Sequence, residues 1–399
     1  MTARPTRQAV RVREAVRARV AEGLRDGVFP GAVVAVLRGS ALLLHEAFGD
    51  AQVVPRRRPM TIETVFDLAS LTKPLATATA VLQLWERGAV DLDAPVAAYV
   101  PRFAWGGKAE ATVRHLLAHT AGLPAWEMLY LRTTRTSGGG RTRAGACRSI
   151  EGAVARICAT PALAPPGSRV EYSDLGFILL GYLVERLTGM ALNVYARERI
   201  FEPLGLGTTR FSPPLAWRTR CAATEVGNGY ERTKAREQGL GRGFAWRTHL
   251  LRGEVHDGNA WHLGCGVAGH AGLFATAGDV ARFGAAMLRG GAMDGARILR
   301  PATVAEATRD QTGEPGPGRR GLGWSLQGGP SAGAPSAGMR ASAQAYCHTG
   351  FTGTSLLVDP ARDLVVVLLT NRVHPTAQRE EIQTFRPAFH DAVIEALDG

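Results

Sequence analysis

Apolar residues at both ends of the chain occur in short blocks that are bounded by turn residues. The stretch GAVVAVLRGSALLLHEAFGD predicts two strands, at 31–38 and 41–49, joined by a turn at Gly39-Ser40. Near the other end, TSLLVDPARDLVVVLLTNR predicts a second hairpin that turns at Asp359-Pro360. Strands joined by hairpins pair antiparallel. We therefore expect the two chain ends to pair in one sheet.

Segments with helical periodicity flank these hairpins and make up most of the chain between them. Glycine follows several of the predicted helices, as is common at helix C termini. The predicted helices are 6–26, 74–87, 111–118, 149–159, 175–188, 192–200, 278–289 and 377–397. Stretches rich in glycine, serine and proline predict loops at 135–146, 312–321 and 327–344.

These elements predict a mixed α/β fold in a single domain, 1–399. Its α/β part comprises about 1–73 and 301–399, with an antiparallel sheet from both chain ends and the first and last helices covering a face. A mostly helical subdomain, about 74–300, is inserted between them. Because ligands favour the cleft between such units, we expect the functional site there.

The amino-acid composition limits the classes of partner that we expect the protein to bind. The 399 residues are 45% hydrophobic and carry a formal charge of +12, with a pI of about 10.1. Arginines are scattered and the basic runs, such as 56–58 and 319–320, are short and lack interleaved aromatics, so we predict no nucleic-acid partner. No run approaches the ~20 apolar residues of a membrane span.

The cysteines and the N terminus suggest a cellular compartment. Five widely spaced cysteines without a C-x-x-C pair argue against a disulfide framework and fit a reducing environment. The N-terminal stretch 1–20 is charged and has no apolar signal-peptide core. We therefore expect a cytoplasmic protein as written, or a periplasmic or extracellular one if an export signal has been removed. The oligomeric state stays open.

One lysine stands out because the chain has three lysines against forty-four arginines. In FDLASLTKPLATATA (66–80), Ser70 and Lys73 are i and i+3 at a predicted helix start, so their side chains can touch. A serine hydroxyl becomes a nucleophile when a base takes its proton. Lysine can be that base if its pKa is lowered, whereas arginine cannot be deprotonated. The alternative is a helix-capping serine beside a surface charge.

Two later segments carry further candidate chemistry. Tyr172-Ser173-Asp174 precedes the helix 175–188, where Ser173 or Asp174 is a good N-cap, or where Tyr172 relays a proton to Ser70 and Asp174 contacts Lys73. His348-Thr349-Gly350 opens a strand near the C-terminal hairpin, and its glycine allows close backbone approach to a ligand. The N–H groups of Ser70 and Phe351 could then form an oxyanion hole.

Together the three segments resemble the S-x-x-K, Y-x-N and K-T-G motifs of the serine β-lactamase and penicillin-binding-protein superfamily. HTAGLP (119–124), FEPLGL (201–206), GHAGLFATAGDVARF (269–283) and HTGFTGTS (348–355) look like the subgroup of class C β-lactamases, D-alanyl-D-alanine peptidases and related esterases. The likeness covers about 28–372.

The resemblance implies an acyl-enzyme hydrolase without cofactor or metal. Ser70 would be the nucleophile, Lys73 its base partner and Tyr172 a second acid/base. The amides of Ser70 and Phe351 would hold the oxyanion. Substrate-binding residues would be Asp174, His348, Thr349, Gly350 and His270.

The chain departs from the antibiotic-resistance pattern twice. Asp174 replaces an asparagine, and an ionised Asp174 would favour a charged Lys73 and leave more of the base role to Tyr172. His348 replaces a lysine, so a permanent cation becomes a group expected to titrate near neutrality. Both changes favour a small-molecule ester, amide or D-amino-acid peptide substrate over β-lactams.

Alternatives remain. One is a catalytically weak penicillin- or peptidoglycan-fragment-binding protein, and another is a true β-lactamase. A zinc site from His256, His262, Cys265 and His270 is possible because these are zinc's usual ligand types, although their spacing matches no common zinc signature. A cysteine hydrolase built on Cys265 lacks nearby groups that would activate the thiol.

Overall fold

The two ends of the chain form one sheet, as their apolar pattern predicts. The computed structural model describes residues 6–133, 150–313, 318–327, 336–377 and 380–399. The strands are β1 (Gly31–Arg38), β2 (Ala41–Gln52), β3 (Arg58–Pro59), β4 (Phe66–Asp67), β5 (Arg210–Phe211), β6 (Ala223–Val226), β7 (Leu250–Arg252), β8 (Leu273–Ala275), β9 (Ala292–Met293), β10 (Ala296–Arg297), β11 (Ser325–Leu326), β12 (Tyr346–Thr349), β13 (Ser355–Asp359) and β14 (Leu364–Thr370).

The large sheet is antiparallel and has the order β11-β12-β13-β14-β1-β2-β3. The first and last hairpins meet where Ala35 of β1 pairs with Val367 of β14. Alternate residues of these two strands enter two separate cores because successive side chains point to opposite faces. Both strands therefore consist almost wholly of apolar residues.

Helices cover both faces of the sheet and fill the insert. They are α1 (Arg7–Arg25), α2 (Thr79–Glu86), α3 (Val113–Leu117), α4 (Leu129–Arg132), α5 (Ile150–Ala159), α6 (Asp174–Thr188), α7 (Leu192–Ala196), α8 (Gly229–Glu237), α9 (Gly258–Gly264), α10 (Ala277–Leu288), α11 (Pro301–Thr308) and α12 (Ile382–Asp398). Within the described residues, two π-helical segments, Lys73–Ala78 and Arg197–Phe201, and five short 3-10 segments accompany them.

The first and last helices cover one face, as predicted, because α1 packs against α12 and β2. The helix α10 packs on the opposite face against β1, β13 and β14. A large apolar core on that side joins the sheet to the helical insert. The mixed α/β class is therefore confirmed.

The insert differs from the mostly helical unit that the sequence predicts. It contains two small sheets of its own, β6 with β7 and β9 with β10, and β5 and β8 pair with β4 in a third. The predicted loop 135–146 lies outside the described residues, as do parts of 312–321 and 327–344. In the described residues no single helix is long and apolar enough to cross a membrane, and one pair, α6 with Leu192–Phe201, meets that test only with a bend of 81°.

Candidate active site

Ser70 lies in a strained turn rather than at the start of an ordinary α-helix. It is the middle residue of the 3-10 segment Ala69–Leu71, which follows β4, and the helix beyond it begins with the π-helical segment Lys73–Ala78. Ala69 has φ +47°, in the left-handed region that side chains disfavour. The hydroxyl of Thr72 donates to the Ala69 carbonyl at 2.6 Å and accepts from the amide of Leu273 at 3.1 Å. The turn is thus held from both sides.

Asp67 stabilises the same turn by hydrogen bonds. Its carboxylate accepts from the amide of Ala69 at 2.9 Å and from the amide of His256 at 2.7 Å. Burial raises the pKa of Asp67, although both amide donors and the His256 side chain oppose that shift. Asp67 was not among the sequence candidates, and its place inside FDLAS was the only signal for it.

The ammonium of Lys73 connects the serine to a carboxylate. Its side chain is fully buried, and its Nζ donates to Ser70 Oγ at 2.9 Å and to the His270 carbonyl at 3.1 Å. The third partner is Asp174, whose Oδ1 lies 2.6 Å from Nζ. A buried ammonium with a carboxylate and two acceptors is fully paired.

The protonation states follow from these contacts. Burial works against the charged form of Lys73, but the charge of Asp174, together with the hydrogen bonds to Asp174 and Tyr172, outweighs burial and raises the pKa of Lys73 above its ordinary value. Burial also raises the pKa of Tyr172, and the opposing effects of Lys73 and of hydrogen bonding to Ser70 do not cancel it. At neutral pH the site therefore holds a charged lysine and a neutral tyrosine.

The segment around Tyr172 is fixed by the start of α6. Ser173 is the N-cap, as predicted, and its hydroxyl accepts from the amide of Gly176 and donates to the Pro124 carbonyl at 2.7 Å. The amide of Ser173 donates to Nδ1 of His119 at 3.0 Å, and the rings of His119 and Tyr172 lie 4.5 Å apart. Asp174 is the first residue of α6, which directs it at Lys73.

His348, Thr349 and Gly350 lie on the other side of Ser70, where β12 continues beyond its short neighbour β11. Gly350 is required by close packing. A Cβ there would come within 2.4 Å of the Leu68 carbonyl and 2.1 Å of Thr354 Oγ1. Gly350 therefore allows a close approach to the serine-bearing turn, whereas the predicted close approach to a ligand stays a prediction.

The expectation that His348 titrates near neutrality is wrong. Burial lowers the pKa of His348 well below its ordinary value, and the charges of Lys73 and Arg320 lower it further. Its Nδ1 lies 2.9 Å from the Thr349 carbonyl, to which it donates. His348 is thus a neutral imidazole with Nε2 left as an acceptor.

The backbone amides of Ser70 and Phe351, predicted to be oxyanion donors, are both available to a ligand. Neither has a hydrogen-bond acceptor in the part of the chain that the structure describes, and both residues line the same two cavities. Two threonine hydroxyls join their segments: Thr352 donates to the Asp67 carbonyl at 2.7 Å and Thr354 to the Leu68 carbonyl at 3.0 Å. These bonds set the spacing of the two amides.

Ser70 stands between two cavities of opposite charge. The basic cavity, about 480 Å³, contains His348, Thr349 and Gly350 and three arginines that the sequence analysis missed: Arg320, Arg372 and Arg386. The acidic cavity, about 250 Å³, contains His270 and four carboxylates: Asp67, Asp174, Glu231 and Asp257. His270, predicted to bind substrate, thus lines a cavity beside Ser70. Its Nε2 lies 2.9 Å from Asp257, and the imidazole outweighs burial and holds the pKa of Asp257 at about 2.

The proposed zinc cluster is not assembled. His256 pairs with Glu225 at 3.0 Å, His262 stacks on Tyr130, and His270 pairs with Asp257. Within the described residues, the one group of possible metal ligands combines His270 with Asp257 and Asp174, and Asp174 is already paired with Lys73.

The interpretation of the cysteines also needs correction. Cys265 is disulfide-bonded, whereas Cys158, Cys221 and Cys347 are buried free thiols. The spacing argued against a disulfide framework, and the bond of Cys265 was not predicted. A bonded sulfur is not a thiolate, so the alternative of a cysteine hydrolase built on Cys265 is wrong.

Comparisons with known proteins identify a family. A model of the beta-lactamase family matches residues 14–387. A Salmonella schwarzengrund protein that bears the name D-alanyl-D-alanine carboxypeptidase is 33% identical over 363 residues, which cover 88% of this chain and 80% of that protein.

Two solved structures show the same fold. EstCE1, a hydrolase with promiscuous acyltransferase activity, has a TM-score of 0.72 at 23% identity, over 98% of this chain and 99% of its own. A class C beta lactamase from Rhodobacter sphaeroides has a TM-score of 0.69 at 19% identity, over 96% and 99%.

Proposed function

This chain belongs to the beta-lactamase family and is a serine hydrolase of that family, and from this premise we propose that it cleaves carboxylic esters or D-amino-acid amide and peptide bonds through an acyl-enzyme on Ser70. One observation carries the proposal. The buried ammonium of Lys73 lies between the Ser70 hydroxyl, at 2.9 Å, and the Asp174 carboxylate, at 2.6 Å. A serine held in this way has a direct route for the loss of its proton.

The route differs from simple lysine base catalysis because Lys73 is charged at rest. As Ser70 attacks, its proton passes to Nζ of Lys73 while Lys73 passes one of its own protons to Asp174. Lys73 thus remains an ammonium while Asp174, the final acceptor, becomes a neutral acid, and the net positive charge that the pair gains balances the negative charge developing on the substrate oxygen. Asp174 thus has a role that the asparagine of the family motif could not fill, since an amide is a poor proton acceptor.

Tyr172 completes the cycle. Its neutral hydroxyl forms hydrogen bonds with both Ser70 and Lys73, so it can hand a proton to the leaving oxygen or nitrogen when the tetrahedral intermediate collapses. Lys73 then returns a proton to Tyr172 and regains one from Asp174, which restores the carboxylate. The amides of Ser70 and Phe351 hold the negative oxygen of that intermediate. Water then attacks the acyl-enzyme, and the same groups act in reverse.

The substrate class rests on two departures from the resistance pattern. Asp174 replaces the asparagine, and His348 is a neutral imidazole where the motif has a lysine cation. The relative from Salmonella bears a carboxypeptidase name, and EstCE1 is a hydrolase with acyltransferase activity. Both support an ester or D-amino-acid substrate.

The test is hydrolysis of a chromogenic short-chain ester by three variants. Ser70→Ala removes the nucleophile, and Lys73→Arg keeps the charge but cannot give up a proton, so we expect both to lose activity by about 10³-fold or more. Lys234→Arg is the matched control, because Lys234 is an exposed lysine paired with Glu237. Wild-type rates in Ser70→Ala would overturn the proposal.

A substrate panel then separates the alternatives. Esters and D-Ala-D-Ala peptides should turn over faster than the β-lactam nitrocefin. Stable labelling by a fluorescent penicillin without turnover of any ester or peptide would identify a binding protein instead, and rapid hydrolysis of nitrocefin would identify a β-lactamase.

A further inference from the structure

His119 contacts Tyr172 and both of its neighbours in the chain. The rings of His119 and Tyr172 lie 4.5 Å apart between their centres and are tilted by 34°. The carbonyl of His119 accepts from the amide of Glu171 at 2.8 Å, and its Nδ1 accepts from the amide of Ser173 at 3.0 Å. Burial lowers the pKa of His119 well below its ordinary value, so the ring is neutral and Nδ1 can accept. One residue therefore holds the tyrosine at three points.

His119 is an unfavourable residue for stability alone. Its φ of +59° lies in the left-handed region that side chains disfavour. The residue is 3% exposed, and its Nε2 is buried without a hydrogen-bond acceptor among the described residues. A left-handed backbone and a buried N–H without an acceptor both cost free energy. Strain that persists in this way beside a reactive group points to a role in function.

The position of the Tyr172 hydroxyl depends on the orientation of its ring. Tyr172 directly precedes the N-cap of α6, so it lies outside the regular hydrogen bonding of that helix. Its hydroxyl forms hydrogen bonds with Ser70 and Lys73. The Lys73 ammonium lies 4.9 Å from the centre of the Tyr172 ring, and the ring of His348 lies 6.1 Å away. A ring that turned would move its hydroxyl away from the leaving group.

We propose that His119 is a positioning residue for Tyr172, and that it holds the phenol where its hydroxyl donates a proton to the leaving group of the substrate. His119 lies outside the two cavities beside Ser70, so it acts through Tyr172 rather than on the substrate. The proposal rests on the proposed function, because it requires Tyr172 to be the general acid of acylation. In that step the bond from the carbonyl carbon to the leaving atom breaks, the electron pair stays on the leaving atom, and the Tyr172 proton bonds to that pair.

Two esters with the same acyl group test this. The 4-nitrophenolate of 4-nitrophenyl butyrate is a stable anion that leaves without a proton, whereas the ethoxide of ethyl butyrate needs one. Because both esters form the same acyl-enzyme, a difference in kcat/KM between them reports on acylation. In His119→Asn we expect kcat/KM to fall by about 10- to 100-fold for ethyl butyrate, the cost of a misplaced catalytic group, and by less than about threefold for 4-nitrophenyl butyrate. The second ester also shows that the variant is folded.

Further variants assign the effect to Tyr172. Tyr172→Phe removes the proton donor itself and should show the same contrast between the esters at its full size. Adding His119→Asn to Tyr172→Phe should then lower kcat/KM for ethyl butyrate no further, because the two residues act as a unit. His119→Phe keeps a ring beside Tyr172 and should show a smaller contrast than His119→Asn.

His115→Asn is the matched control. Nδ1 of His115 also accepts a backbone amide, that of Thr112 at 3.2 Å, but the contact belongs to the cap of α3. This variant should treat the two esters as the wild type does.

The outcomes are distinct. An equal effect on the two esters in His119→Asn, or losses that multiply in the double variant, would overturn the positioning role and leave the serine hydrolase intact. A wild type that hydrolyses 4-nitrophenyl butyrate but not ethyl butyrate would overturn it too, since no proton then reaches a poor leaving group. The absence of any contrast in Tyr172→Phe would overturn the role of Tyr172 in the proposed function, and this proposal with it.

Discussion

The carboxylate of Asp174 lies 2.6 Å from the ammonium of Lys73, and the same ammonium donates to the Ser70 hydroxyl at 2.9 Å. The serine, the lysine and the aspartate thus form a continuous line of proton donors and acceptors. Because the charge of Asp174 raises the pKa of Lys73, the lysine holds its protons firmly until Asp174 accepts one.

The first prediction concerns Asp174→Asn. In this variant the lysine keeps its place but has no carboxylate to receive a proton, so catalysis requires Lys73 to be neutral. We expect kcat at pH 7 to fall by about 100-fold and to recover as the pH rises towards the pKa of Lys73. The wild type should instead be insensitive to pH over this range. The measurement is the pH dependence of kcat for a chromogenic ester between pH 6 and 10.

Two results would contradict this account. A flat profile in Asp174→Asn with wild-type rates would show that Asp174 accepts no proton. A rate that is low at every pH and does not recover at high pH would show that the activity of the variant does not depend on a neutral Lys73.

The second prediction concerns Gly350→Ala. A Cβ at this position would come within 2.4 Å of the Leu68 carbonyl, so the strand must move away from the turn that carries Ser70. The amides of Ser70 and Phe351 would then separate, and we expect kcat/KM to fall by about 100-fold, as for the loss of an oxyanion donor.

Gly207→Ala is the matched control for this change, because a Cβ there meets nothing within 4 Å. For both variants, kcat/KM should be measured together with the midpoint temperature of thermal unfolding. Full activity in Gly350→Ala would show that the spacing of the two amides does not depend on this contact.

Much of the fold follows from local patterns, whereas the site depends on distant contacts. The two hairpins and the helices that cover them were predictable because their periodicity and turn residues are local. The small sheets of the insert were not, since β4 pairs with β8 across some 200 positions and neither strand is longer than three residues. The π-helical start at Lys73 likewise has no sequence signal.

Ser70 and Lys73 were predictable for a different reason, which is the scarcity of lysine. Two of the three lysines, Lys73 and Lys108, are fully buried. Arg320 could not be recognised in the same way. It is one of two adjacent arginines, and its neighbour Arg319 forms an ion pair with Asp310. Nothing in the sequence distinguishes the two.

A third prediction concerns acid stability. Nδ1 of His119 accepts a hydrogen bond from the Ser173 amide, and this requires a neutral ring. Burial lowers the pKa of His119 well below its ordinary value, and the charges of Arg320, Lys73 and His348 lower it further. The unfolded chain has the ordinary pKa, about 6.5, so it binds the proton first as the pH falls. The stability that His119 contributes is complete above about pH 6.5 and is lost below it.

The variant His119→Asn isolates this effect. Asparagine keeps an acceptor oxygen near the position of Nδ1 and tolerates the left-handed φ of +59° at this position. We expect the free energy of unfolding of the wild type to fall between pH 6.5 and 5 more steeply than that of the variant, by up to about 1.4 kcal/mol per pH unit. Parallel curves from urea denaturation would show that His119 is protonated equally in both states.

The central claim is that Ser70 becomes acylated, and mass spectrometry of the labelled protein tests it most directly. After reaction with a fluorophosphonate, the intact wild-type protein should gain the mass of one adduct. Peptide mapping should then locate that adduct on Ser70, and Ser70→Ala should gain no mass. An adduct on another residue, or labelling of Ser70→Ala at the wild-type rate, would contradict the account.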